Sequence, residues 1–277
     1  MCGRYAAAKN PDDLVEEFEV VAVPEKALAP DWNVAPTKDV YAVMVRPPRE
    51  DKQAEPRREL AVVRWGLVPS WAKDPSIGNR MINARMETVA EKPAFKRAFA
   101  KRRCILPADG YYEWYTPEDG PKGKGGKPLK QPFFIRPADG SSLAMAGLYE
   151  LWRDPTREDD DPKAWLMTCT VLTTTAEDAV GRIHDRMPLL VERDRWQEWL
   201  DPAGGGDDPR HLLVPAAARP PRGLSRVDGG QRRPSQRPRA RRAAAARGVA
   251  RRRRRRQRRR PAEPVLTPAW PAPLSLS

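Results

Sequence analysis

A ladder of short apolar runs that stops at Leu200 constrains this chain more than any other feature. VYAVMV (40–45), LAVVRWGLV (60–68), RCILPADGYYEW (103–114), PFFIR (132–136), SLAMAGLYE (142–150) and AWLMTCTVLTT (164–174) follow one another with Pro and Gly between them. They are rich in Val, Ile, Trp, Tyr and Thr, and their lengths suit strands better than helices. Helical spacing is rarer. Asn10 can cap a helix over Pro11–Phe18 with Leu14, Val15 and Phe18 on one face, and residues 87–100 and 193–200 have compatible spacing. The reading is an α+β fold, a mainly β domain with a few helices over residues 1–200. Inside it, the Gly-, Pro- and Lys-rich segment 116–131 and the segment 153–163 read as exposed hairpin loops.

Residues 201–277 turn to Gly, Pro, Ala and Arg and include RRRRRRQRRR. Such a segment has too few large apolar residues to offset its ordering entropy, so a disordered basic tail is expected from about residue 216. Charge divides in the same way. Residues 1–200 carry 31 Lys and Arg against 32 Asp and Glu, whereas residues 201–277 carry 20 against 5. The formal net charge of +14 therefore belongs to the tail and does not argue that the folded part binds nucleic acid. The Arg run itself can hold phosphates without regard to sequence.

Three cysteines, Cys2, Cys104 and Cys169, have neither the density of a disulfide framework nor a metal-ligand spacing. Cys104 and Cys169 lie in apolar runs and read as buried and inert. Two histidines and scattered cysteines make no ligand cluster, so no metal or organic cofactor is implied. No apolar run reaches the length of a membrane helix and no signal-peptide order opens the chain. A soluble, cytoplasmic monomer without a membrane partner is expected.

The chemistry starts at the second residue. Removal of the initiator Met would leave Cys2 with an α-amine and a thiol on adjacent carbons. The amine titrates near about 7.7 to 8.0 and the thiol near about 8.5, so both have nucleophilic fractions close to neutrality. The amine can condense with an aldehyde to an imine, and the thiol can close on the imine carbon to give a five-membered thiazolidine. Neither an internal cysteine nor a serine gives that product.

Five further strings accompany MCGRY at the amino terminus: DWNVAPT (31–37), WGLVPSW (65–71), MINARMET (81–88), CILPADGYYEW (104–114) and IHDRMP (183–188). Taken in this order they resemble the SRAP family, the SOS-response-associated peptidases understood as abasic-site processing proteins. Members of that family share MCGR, NVAP, WGL-P-W, NAR-ET, DG-YEW and HDRMP. The likeness covers roughly residues 1–200.

The resemblance implies roles residue by residue. Cys2 is the implied nucleophile, and Asn83 holds the amine or the sugar with an amide that does not titrate near neutrality. Glu113, set between two aromatic residues, passes protons with a pKa raised by desolvation. His184 serves as acid and base in turn. Arg85 offers its planar fork to a phosphate, and Arg4, Asn33, Trp71 and Arg186 line the DNA channel. An aromatic platform with cations accepts any base sequence, at about 1 to 3 kcal/mol for each stacked base. The implied partner is single-stranded DNA containing abasic sites, and the implied activity is a covalent DNA–protein crosslink that shields the lesion.

Two rival functions use the same residue types. A thiol peptidase, including one that cleaves its own leader, would employ Cys2, Glu113 and His184 for acyl transfer. A non-covalent single-strand binding module would rest on the Arg tail and show salt-sensitive binding with no preference for the lesion. The ending also departs from the family, whose members continue after HDRMP with a second apolar, strand-forming segment. A tail of Arg, Ala, Pro and Gly is what a shifted reading frame of a GC-rich gene produces, and a frameshift between residues 205 and 225 is expected. Translating the neighbouring frame of the gene tests it.

Overall fold

The structure, a computed structural model, describes residues 2–48, 51, 53–118, 120–123, 125–161, 163–176, 183–202 and 208–215, together with the backbone of Leu224–Arg226. Five strands form a closed ring: β3 (Asp39–Arg46), β4 (Arg57–Trp65), β6 (Arg103–Ala108), β9 (Leu143–Arg153) and β10 (Trp165–Thr175). β4–β3, β3–β6, β6–β9 and β9–β10 pair antiparallel, and a parallel seam at Thr168↔Arg64 and Cys169↔Trp65 closes the circuit. Closure of this kind leaves the ring no open sheet edge. These strands hold the longest apolar runs of the sequence, and those runs show little polar alternation because both of their faces are covered.

Period-two alternation sorts the ring's side chains into two sets. Tyr41, Val43, Leu60, Ile105, Ala146 and Leu148 pack with helix residues Leu14, Phe18, Phe99, Trp196 and Trp199. The other set, with Ala42, Met44, Val63, Trp65, Cys104, Leu106, Cys169 and Val171, packs with Cys2, Tyr5 and Tyr111. Cys104 and Cys169 are fully buried there as free thiols.

A second, antiparallel sheet has the order β12 (Leu224–Arg226), β8 (Gln131–Ile135), β7 (Gly110–Tyr115), β1 (Tyr5–Ala7), β2 (Asp31–Val34). Two short strands are added to β10. β5 (Asn83–Arg85) pairs parallel with Val171–Thr173, and β11 (Arg186–Pro188) pairs antiparallel with Thr173–Thr175. The loops between β7 and β8 and between β9 and β10 join antiparallel partners, as hairpin connections do.

Helix α1 spans Pro11–Phe18 as its signals predict: Asn10 accepts from the Asp12 amide at 3.2 Å, Pro11 opens it, and Leu14 and Phe18 are buried. Residues 193–200 form a 3-10 turn over Arg193–Arg195 and then α3 (Trp196–Leu200), whose Trp196 stacks on Phe18 with ring centroids 4.6 Å apart. The helix expected over residues 87–100 is shorter. Only α2 (Lys96–Lys101) is helical, and residues 86–95 are turns, with 3.2 Å and 3.0 Å bonds from Glu91 and Lys92 to the Thr88 carbonyl. Pro93 is the physical reason, since it removes an amide donor and pushes Lys92 away from helical dihedrals.

The core continues past Leu200. A 3-10 helix over Pro209–Leu212 places Leu212 in the packed set with the helices. Apart from the backbone of β12, the tail expected to be disordered from residue 216 lies outside the described residues. Among the described residues no helix is long and apolar enough to cross a membrane.

Candidate active site

The motif strings resolve into two groups of neighbouring strands. MCGRY, DWNVAPT and DGYYEW lie on or beside β1, β2 and β7, which are adjacent in the second sheet. The start of WGL, then NAR and DRMP, gather around β10 through β4, β5 and β11. Gly66 shows why WGL needs a glycine. Its φ is +128°, and a Cβ there would stand 2.6 Å from the Gly78 carbonyl oxygen.

Hydrogen bonds join the two groups: the Thr37 amide donates to the Trp65 carbonyl at 2.8 Å, and a second bond reaches Cys2. Asn83 Nδ2, on β5, donates to the Cys2 carbonyl at 2.8 Å. Asn83 is fixed in turn because the preceding carbonyl, that of Ile82, accepts from the Trp65 indole at 2.9 Å and from the Val171 amide at 3.1 Å. The amino-terminal segment runs along β7, with Tyr5 opposite Tyr111 and the Tyr112 amide donating to the Arg4 carbonyl at 2.9 Å. That register, continued, carries Gly3 and Cys2 past Glu113.

Cys2 is fully buried, and burial above all, then the charge of Glu113, pushes its thiol well above the ordinary range. Glu113 is 2% exposed, and burial raises its carboxyl while the positive charge of His184 pulls the other way. His184 accepts from the Arg186 amide through Nδ1 at 3.0 Å, and the same nitrogen lies 2.8 Å from the Asp185 carboxylate. A backbone N–H can only donate, so in the neutral ring Nδ1 is the acceptor and the proton sits on Nε2. A hydrogen bond thus links Asn83 to Cys2, the charge of Glu113 bears on the Cys2 thiol, and that of His184 bears on Glu113.

Of the residues expected along the DNA, Arg4 Nη1 donates to Asn33 Oδ1 at 3.2 Å, which sets a cation and an amide side by side on β1 and β2. Trp71 is 60% exposed and Arg85 is exposed on β5. Arg186 differs. Its two terminal nitrogens meet the two Glu87 carboxylate oxygens at 2.6 and 3.0 Å, and Nη2 also donates to the Thr173 carbonyl at 2.6 Å. The fork ties the strand next to His184 to the segment that follows Asn83. Sequence reasoning missed Glu87 as the partner, although it stands two residues after Arg85 in the same string. The second histidine, His211, sits in the Pro209–Leu212 turn with Nε2 3.0 Å from Glu198. Among the described residues no group of His, Cys, Asp and Glu could hold a metal.

The raised Glu113 carboxyl has a consequence for stability. The folded protein binds this proton more tightly than an unfolded chain does, so the carboxyl's stabilising contribution is complete in acid and is lost as pH rises through its raised pKa. Glu113→Gln keeps the shape and cannot ionise. Its melting temperature relative to wild type should therefore climb as pH rises above the ordinary carboxylate range, read by thermal melts in matched buffers, and a flat difference would contradict it.

Fold and site together define a β protein built around an amino-terminal cysteine, with an amide, a carboxyl and an imidazole gathered beside it. Residues 1–222 match the family described as SOS response associated peptidase (SRAP), and the chain belongs to it. It is 38% identical over 213 residues to the abasic site processing protein YoqW of Bacillus subtilis, covering 76% of this chain and 84% of the relative. Against the abasic site processing protein YedK of Escherichia coli it is 32% identical over 204 residues, 72% of this chain and 79% of the other. A solved protein from Bordetella bronchiseptica shares the fold with a TM-score of 0.58 at 28% identity, covering 78% of this chain and 95% of that one.

Proposed function

We propose that this chain, once Met1 is removed, recognises abasic sites in single-stranded DNA and closes a thiazolidine on the exposed sugar aldehyde through Cys2. The observation that carries the reading is the convergence on Cys2 itself. Its carbonyl is held by Asn83, the charge of the buried Glu113 bears on its thiol, and the charge of His184 bears on Glu113. The relatives' shared description as abasic site processing proteins supports the same substrate.

Burial orders the steps. A thiol whose ionisation burial opposes is a poor first nucleophile, so the α-amine attacks the aldehyde carbon, and the acid form of Glu113, which burial favours, gives its proton to the departing hydroxyl. Water leaves and a protonated imine remains. Glu113, now a carboxylate, takes the thiol proton while the sulfur adds to the imine carbon, and the C=N electron pair leaves the nitrogen a neutral ring amine. The product lacks the electrophile that drives strand cleavage by β-elimination. Arg4, Asn33, Arg85 and Trp71 supply contacts to phosphates and bases, and Arg186 holds the His184 strand through Glu87.

Mass spectrometry of the purified protein with an abasic oligonucleotide tests this. The expected product is protein plus DNA less one water, stable to heat and located on the amino-terminal peptide. Absence of that adduct, with removal of Met1 confirmed, rejects the reading.

A further inference from the structure

Three hydroxyl groups among the described residues are buried with no hydrogen-bond partner: those of Tyr5, Tyr111 and Thr170. A buried hydroxyl in that condition is costly and calls for a physical reason. Tyr111 is set apart by its surroundings. Side chains alternate along β7, so Tyr111 and Glu113 leave one face and Tyr112 the other. The packing agrees, because Tyr111 belongs to the set that contains Cys2 whereas Tyr112 packs with Ala6 and Phe134. Tyr111 and Glu113 are each 2% exposed. Burial first, and then the charges of Cys2 and Glu113, raise the Tyr111 phenol. Tyr5, opposite it on β1, answers to Cys169 before Cys2 and does not answer to Glu113.

Resting on the reading of Cys2 given above, we propose that the Tyr111 hydroxyl is a further catalytic residue of the ring-closing step, donating a hydrogen bond to the Cys2 sulfur as that atom loses its proton. The step balances without any oxidant or reductant. The S–H proton passes to the Glu113 carboxylate, a sulfur lone pair forms the C–S bond, and the C=N π pair of the protonated imine moves to nitrogen, which becomes the neutral ring amine. Before the step the sulfur is a neutral thiol and a weak acceptor. The phenol gains a strong partner only as negative charge develops, which is the condition for lowering a barrier without tightening the ground state.

Tyr111→Phe removes one oxygen and keeps the ring. Borohydride captures the imine and so separates it from the closed thiazolidine. With Met1 removed and a single-stranded abasic oligonucleotide as substrate, the variant should form imine at the wild-type rate. Its closure should slow about tenfold or more, with imine accumulating in between. Tyr5→Phe, which deletes the neighbouring buried hydroxyl, should leave both rates near wild type. Unchanged closure in Tyr111→Phe, or equal slowing in both variants, overturns the assignment without touching the Cys2 chemistry. A wild-type protein that forms neither imine nor ring overturns both.

Discussion

Alanine in place of Cys2 is expected to abolish the heat-stable adduct on abasic DNA while leaving a labile one that borohydride still captures. Removal of Met1 from the Cys2→Ala chain exposes an α-amine at the same position, so an imine can form, but no sulfur is present to close the ring. Cys2→Ser should behave in the same way, since an oxygen nucleophile at this position closes far less readily. A chain with an amino-terminal extension, in which Cys2 keeps its thiol and loses its free amine, should give neither product. The three patterns separate the readings. A thiol peptidase acts through sulfur alone, so its hydrolysis survives the extension and fails in Cys2→Ala. A non-covalent binder gives no adduct in any form and loses affinity with rising salt, whether or not the strand carries a lesion. Heat-stable crosslinking by Cys2→Ala would remove the amino-terminal thiol from the mechanism.

How much of this could be read from the residues varies with length and with burial. The five ring strands were legible because each grows from a mainly apolar run rich in Val, Leu and aromatic residues, and helix α1 because Asn10, Pro11 and the spacing of Leu14 and Phe18 agree. Strands β1, β2, β5 and β11 have three or four residues each, too few for a period to show, and their sequences contain Arg, Asn and Asp. They appeared in the sequence only as motif strings. Their strand character comes from tertiary pairing, above all with β10, which collects β5 and β11. Residues 87–100 erred in the other direction: Pro93 interrupts the helical spacing, so Val89 and Phe95 reach the core from turns and only Ala98 and Phe99 do so from a helix.

The catalytic set was legible through family resemblance, and the structure supplies what resemblance lacked. Arg186 and Glu87 are 99 residues apart, and no local signal pairs them. Tyr111 was within reach, since alternation from Glu113 places both on one face, but an aromatic residue two positions from a carboxyl reads as core until its hydroxyl is seen without a partner.

Arg103→Met is expected to be the most destabilising single change in the domain outside the site. The guanidinium is 3% exposed and has no acidic side chain as its partner in these bonds; it donates to four backbone carbonyls instead. Phe99 and Ala100 supply two of them, at 3.0 and 2.9 Å, from the last turn of α2. Trp199, at 2.8 Å, and Asp201 supply the others from the end of α3. The last carbonyls of a helix have no partners within it, and here a single cation satisfies those of two helices at once and complements both dipoles. The bonds also bring Trp199 into place, where its indole donates to the Cys104 carbonyl at 2.9 Å and closes the core over β6. Methionine fills similar space with no donor and leaves four carbonyls facing an apolar surround. At about 1 kcal/mol or more for each lost bond, the cost is about 4 kcal/mol, or a fall in melting temperature of roughly 10 °C for a domain of this size. Arg103→Lys keeps the charge but cannot reach both helix ends, so it should fall between the two. Denaturant and thermal melts of the three proteins decide the matter: a Met variant within about 1 kcal/mol of wild type would show that water or backbone shifts satisfy those carbonyls, and that the segment after Leu189 is held by its apolar contacts alone.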